Sequence, residues 1–240
     1  MMATNKQYTP SQIAGSRLSM AMENYLLSLF HMEEMGTTST SSQLAKQLKL
    51  LPASEGLGTS LPSVSGMIRR MVRENLIKKT SDKELTLTPK GRDAAESIVR
   101  RHRLAERMVV DIFGIELQNA HAEAHRLEHA ISPELENKIS ETLGHPSTCP
   151  FGHPIPRNGY VAPKNSFPLS NARSGQTLIL DKLPEDDQAL LQYFVSSQMT
   201  PGQLIEVVEL APFRGIIKLS CNNKDVVISY AVAEKIKVLE

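Results

Sequence analysis

The chain has two cysteines in 240 residues, Cys149 and Cys221. They lie far apart and in what read as different domains, so a disulfide framework is not expected. No apolar run approaches the roughly 20 residues that a membrane span needs, and the start, MMATNKQYTPSQ, lacks a signal peptide's apolar core. A cytoplasmic protein with no membrane partner is therefore expected. Catalytic signatures are missing as well: there is no HExxH motif, nucleophile elbow or phosphate-binding loop. That argues against a hydrolytic metalloenzyme and for a protein that is not an enzyme, although clustered His and Glu can activate water. Net charge is scarce too, at only +1.

The charge is unevenly spread. From residue 61 to 107 there are twelve Lys and Arg against six Asp and Glu, whereas from 116 to 141 six Glu face only Arg126 and Lys138. One segment suits phosphates and the next suits a cation. Within the second, HAEAHRLEH places His121, His125, Glu128 and His129 in nine residues. At about 100° per residue on a helix, they share an arc of about 100°. His102 and Glu106 repeat the i,i+4 spacing one helix earlier. Imidazole with carboxylate suits a divalent transition metal; the plainer alternative is a solvated polar face.

Ahead of these lies a series of short elements. Residues 17–35 carry Met22, Leu26, Leu29 and Phe30 at helical spacing, and Gly36 closes the helix. A short helix, QLAKQLKL, follows, with Ser41 or Ser42 as cap. LPASEGLGTS reads as a loop. Pro62 then opens PSVSGMIRRMVREN, with Val64, Ile68, Met71 and Val72 facing inward and Ser63, Ser65, Arg69, Arg70 and Arg73 outward. Residues 76–80 and 85–88 alternate like a hairpin. Helix, turn, helix and basic hairpin make a winged helix-turn-helix. Its third helix would meet base edges in double-stranded DNA, while the wing's Lys78, Lys79 and Lys83 neutralise phosphates.

Thr88 caps and Pro89 opens a long helix expected to reach about Phe113. Its apolar stripe of Ile98, Ala105, Val109 and Ile112 includes His102 and Glu106. Two ionisable groups on a buried face need a partner, either each other or a shared metal.

The runs RRHRLAERMVVDIFGIE, HAEAHRLEHAIS and CPFGHPIP, in this order, resemble the metal-dependent repressors related to the diphtheria toxin repressor and the iron-dependent regulators, with a more distant likeness to the manganese transport regulator. The resemblance covers residues 17–157 and extends more weakly beyond. It implies a homodimer that binds a palindromic operator when loaded with Fe(II) or Mn(II), for which Zn(II), Co(II) or Ni(II) can substitute in vitro. It also implies two metal positions. His102, Glu106 and His121 match the first; His125, Glu128 and His129, with Asn24 on the first helix, match the second, regulatory one. The family's iron regulators carry a thiolate where His125 stands, and Met or Asp stands where this chain has Asn24. The family turn between the second and third helices is tight, so residues 51–60 are an insertion of about ten residues, and its low charge favours a bulge into solvent. A winged-helix regulator with a structural metal and metal-independent DNA binding is the alternative.

The expected fold is mainly α with small β parts. It divides into a winged helix-turn-helix domain (1–88), a helical dimerisation and metal-binding domain (89–157), a linker (158–171) and a C-terminal SH3-like, ferrous-transport-A-like β-barrel (172–240). The resemblance makes Glu185, Asp187 and Gln188 candidates to complete the first position from that last domain; an acidic helix start favoured by the macrodipole is the plainer reading. His145, Cys149 and His153 are spaced by four, but the surrounding prolines forbid a helix there, and no ligand role is assigned to them.

Overall fold

The computed structural model describes residues 18–52 and 55–240. Arg17, the expected start of the first helix, lies outside them. Helix α1 (Met20–Glu34) is capped by Ser19, whose hydroxyl accepts from the Met22 amide. It is buried almost all round, and its buried set includes Glu23, Asn24 and His31 beside Met22, Leu26 and Leu29. Helix α2 (Ser41–Gln47) is capped one residue earlier than expected. Thr40 and Gln43 form a reciprocal capping box, which places Ser41 and Ser42 inside the first turn.

Helix α3 (Leu61–Arg73) starts at the Ser60 cap and buries Val64, Ile68 and Met71. Val72 does not join them. It is 43% exposed, because at about 100° per residue it falls on the far side of Ile68 from Val64 and Met71, at the edge of the inward face. The wing pairs β1 (Ile77–Lys79) with β2 (Leu85–Leu87) in antiparallel register, Ile77 opposite Leu87. Helix α4 (Pro89–Arg107) then crosses under the wing. Gly91 is required at this crossing, since a Cβ there would lie 1.7 Å from the Leu76 carbonyl oxygen. Thr88 completes the clamp by accepting from the Gly91 amide at 3.0 Å while donating to the Asn75 carbonyl at 2.6 Å.

The long helix expected to run to Phe113 changes character at its end. Residues Met108–Ile112 form a π-helical turn, whose wider i→i+5 spacing slips the phase of the stripe. Ile112 is consequently 46% exposed rather than buried. Helices α5 (Leu117–Leu127) and α6 (Pro133–Thr142) pack against α4 around Leu104, Ala105, Ala124, Ile131, Ile139 and Ile155.

The C-terminal unit is a six-stranded antiparallel sheet, the SH3-like part of the fold. Its strands are β3 (Ser166–Pro168), β4 (Thr177–Lys182), β5 (Leu204–Ala211), β6 (Ile216–Cys221), β7 (Lys224–Ser229) and β8 (Lys237–Leu239), in the order β3-β8-β4-β5-β6-β7. Helix α7 (Gln188–Ser196) lies between β4 and β5, and a short α8 (Tyr230–Ala233) precedes β8. Asn222 and Asn223 both take positive φ between β6 and β7, the hairpin turn that Asn tolerates. The linker expected through residue 171 is shorter in the structure. Ser166–Pro168 pairs with β8 and Leu169 is fully buried, so this stretch belongs to the sheet.

The sheet is joined to the helices through a shared core, where Phe151, Cys149, Val109 and Ala120 pack with Leu180, Leu183, Leu191 and Phe194. This junction brings the segment before α7 against α4 and α5. Among the described residues, no helix is long and apolar enough to cross a membrane.

Candidate metal centre

His102 and Glu106 come from consecutive turns of α4, and His121 and His125 from consecutive turns of α5, so two i,i+4 pairs face each other across one helix interface. His102 Nε2 lies 3.0 Å from Glu106 Oε1 and 3.1 Å from His121 Nδ1, which is itself 3.0 Å from Glu106 Oε1. Glu185, from the segment before α7, completes a group whose potential ligand atoms all lie within 4.8 Å of one another. Of the three C-terminal candidates, only Glu185 reaches the centre. Asp187 is exposed and caps α7 by accepting from the Leu190 amide, and the Gln188 amide turns to Asn119. His145 Nδ1 lies 3.1 Å from Ser140 Oγ, while His153 Nε2 donates to the Leu183 carbonyl and lies 3.6 Å from Glu185 Oε2.

The second constellation adjoins the first. α5 stops at Leu127, so Glu128 is its C-cap and His129 sits in the following turn, rather than all four residues sharing one helix. The fully buried Glu128 carboxylate faces His102 Nδ1 at 2.5 Å, His125 Nδ1 at 3.3 Å and His129 Nε2 at 3.3 Å. His125 also joins the two sets, its Nε2 lying 3.2 Å from His121 Nε2. Asn24 is completely buried on α1, and its amide donates to the Glu55 carboxylate at 2.8 Å. Two acidic residues absent from the sequence-derived set enter here. Glu23 Oε2 is 2.7 Å from His129 Nδ1 while its other oxygen accepts from Arg101, and Glu55 Oε2 is 3.5 Å from His129 Nε2. Glu55 thus turns inward from the inserted loop, whose Gly56, Gly58 and Ser60 are exposed. His31 was missed as well; it lies 3.7 Å from Glu185. It stands seven residues after Asn24, the same stripe of α1, a spacing that could have exposed it.

Charge balance explains how such a cluster is tolerated. Burial opposes charge on His102, but the carboxylates of Glu106 and Glu128 outweigh it and hold the imidazole well above its ordinary value. Burial likewise opposes ionisation of Glu128, yet His102 and His125 hold it at about 2. His125 is pushed down to about 4 by burial and then by His102, so it is neutral and has a lone pair to offer. Glu185 is pushed up to about 8 by burial and by the Glu106 charge. The donor set of imidazole nitrogens and carboxylate oxygens fits a divalent transition ion. So do two buried atoms that have no hydrogen-bond partner among the described residues, Glu106 Oε2 and Asn24 Oδ1.

Residues 88–157 match the family model described as the iron dependent repressor, metal binding and dimerisation domain, and residues 167–240 match the FeoA domain. The iron-dependent repressor IdeR of Mycobacterium leprae is 30% identical over 232 residues, covering 90% of this chain and 95% of that protein. The chain belongs to the iron-dependent repressor family. The diphtheria toxin repressor of Corynebacterium diphtheriae is 31% identical over 229 residues, covering 91% of this chain and 96% of its own length. A solved manganese-dependent transcriptional repressor in complex with manganese is 29% identical with a TM-score of 0.78, covering 91% of this chain and 99% of that one. The outward residues of the winged helix-turn-helix are mostly solvent-facing. Ser63, Arg69, Arg70 and Arg73 on α3 and Lys78, Lys79 and Lys83 on the wing are exposed, while Ser65 is half-buried. Arg70 additionally pairs with Glu74 at 2.9 Å.

Proposed function

We propose that this protein is a metal-dependent transcriptional repressor, which binds palindromic operator DNA as a homodimer when Fe(II) or Mn(II) occupies the buried centre. The observation that carries this reading is the convergence of α1, α4, α5 and the segment before α7 on one imidazole and carboxylate cluster. Asn24 and Glu23 belong to the DNA-reading head, and His125, Glu128 and His129 to the helical unit behind it. His102, Glu106, His121 and Glu185 would hold one ion, and Asn24, His125, Glu128 and His129 a second. A bound ion would supply multivalent attraction between groups that otherwise depend on a proton shared by His102. Only a difference in affinity between two head arrangements can then switch DNA binding. The exposed apolar group Ile112, Phe113 and Ile115, beside the acidic unit, supports pairing with a second copy. Exposed serines and arginines on α3, flanked by wing lysines, support major-groove docking.

The test is binding to duplex DNA libraries at fixed salt, first in chelator and then with Mn(II) or anaerobic Fe(II) restored. Selected palindromes are bound only with metal, and His125→Ala removes the response. Equal affinity in chelator would replace this reading with a metal-independent regulator.

Proton release is a second expected result. His102 is held well above the ordinary imidazole value by Glu106 and Glu128, and Glu185 at about 8, so both carry protons near neutrality that a ligated ion must displace. Apparent metal affinity therefore climbs as pH rises through neutrality. Titration calorimetry in buffers of differing ionisation enthalpy measures the released protons; heats independent of buffer would contradict the prediction.

A further inference from the structure

The inserted loop is built into the centre. Leu51 and Leu57 on either side of Glu55 pack on the core of the reading head, and Gly56 turns the chain with φ +61° directly after it. Gly58 returns the loop closely to α3, where a Cβ would lie 3.0 Å from Ser63. Between these anchors the Glu55 side chain is only 5% exposed. Its Oε2 accepts from Asn24 Nδ2 at 2.8 Å and lies 3.5 Å from His129 Nε2. A buried carboxylate is costly unless paired or bound to a cation.

The neighbouring carboxylates are already engaged. Glu23 is neutralised by Arg101 at 2.6 Å, and Glu128 is shared among His102, His125 and His129. Glu55 meets no Lys or Arg within ion-pair distance among the described residues. The amide of Asn24 is oriented by its bond to Glu55, which leaves Asn24 Oδ1 buried with no hydrogen-bond partner among the described residues. Asn24 itself brings no charge to a position where a divalent ion prefers anionic oxygen.

We propose that Glu55 is a metal ligand of the second position, supplied by the inserted loop, and that Asn24 orients it. This rests on the reading that a divalent ion occupies that position. Its consequence is a direct tie between the ion and the α2–α3 connection, the part of the reading head that sets α3 against DNA. The ion then orders the inserted loop as it binds, and that ordering enters the coupling between metal and operator.

The experiment uses the full chain with Glu55→Gln, His129→Ala and Glu123→Gln, and Mn(II) as the probe. Mn(II) binding is followed by electron paramagnetic resonance, and amide exchange of residues 55–60 is measured with and without Mn(II). Glu55→Gln is expected to weaken the second Mn(II) site on the order of 10- to 100-fold, to abolish the metal-induced protection of 55–60, and to leave the melting of the metal-free protein within about 2 °C of the parent. Glu123→Gln should change none of these. Unchanged Mn(II) affinity and unchanged protection in Glu55→Gln would overturn the proposal even where His129→Ala abolishes the site. A parent protein that loses Mn(II) affinity with Glu55→Gln, yet binds DNA equally in chelator, would keep the ligand and overturn the repressor reading instead.

Discussion

Glu128→Gln is expected to abolish metal-activated DNA binding and to lower Mn(II) affinity by at least about 100-fold, or about 2.7 kcal/mol. The substitution keeps the shape of the side chain and removes its charge. That charge faces three imidazoles, at 2.5 Å from His102, 3.3 Å from His125 and 3.3 Å from His129, so both metal positions lose from one change. The metal-free protein is affected too. Glu128 has its pKa depressed to about 2, so its contribution to stability is present above the unfolded carboxylate value and fades as pH falls toward 2. At neutral pH the variant therefore melts earlier than the parent, and the difference between the two shrinks in acid. Glu123, whose carboxylate pairs with Arg126 on the outer side of the same helix, is the matched control. Parent-like metal affinity in Glu128→Gln, measured by calorimetry beside that control, would remove the carboxylate from the centre.

The groups that were legible in the sequence are those that repeat along one helix. His102 with Glu106 and His121 with His125 stand at i,i+4, and such pairs announce a shared face before any tertiary contact is known. The reading head was legible for a similar reason, since capping residues, Pro at first turns and alternation in the wing are all local signals. Glu23, Glu55 and His31 were not. Each is a single residue whose meaning comes from an element it meets only in the folded chain, and Glu55 sits in a low-charge loop with no periodicity at all. The strand Ser166–Pro168 was hidden likewise, because its partner, β8, lies some 70 residues later and only three residues pair. Ile112 and Val72 were misplaced by small errors of phase, one through a π-helical turn and one through its place at the edge of the face that Val64, Ile68 and Met71 share. Glu185 was reachable only through the family resemblance, which left it level with Asp187 and Gln188. The folded chain separates them, since Glu185 alone joins the cluster while Asp187 caps α7 and Gln188 donates to Asn119.

Arg103→Ala should destabilise the metal-free protein by roughly 2–5 kcal/mol, the cost of emptying the space of a fully buried side chain and losing its hydrogen bonds. Arg103 is a fully buried side chain of α4. Its guanidinium meets both oxygens of Glu34, at 3.0 and 2.5 Å, and donates to the Pro154 carbonyl at 2.6 Å. One planar group thus fastens the end of α1 to α4 and to the proline-rich loop that packs under the sheet. Burial disfavours its charge, but Glu34 and then Glu185 outweigh that and hold it protonated. Lysine cannot replace it, because a single ammonium does not reproduce the fork that satisfies two carboxylate oxygens and a carbonyl together. Arg103→Lys should therefore recover less than half of the lost stability. Arg103→Met, which fills the volume without charge, should be no worse when Glu34 is changed to Gln at the same time. Urea denaturation of the two single variants and the double variant measures the coupling, and additive losses would show that the pair carries none. The same fastening sets α1, with Glu23 and Asn24, against α4, with His102 and Glu106. Loss of Mn(II) affinity in Arg103→Met Glu34→Gln, a variant that replaces no proposed ligand, would then measure how far the metal centre depends on this fastening together with the Arg103 charge near Glu185.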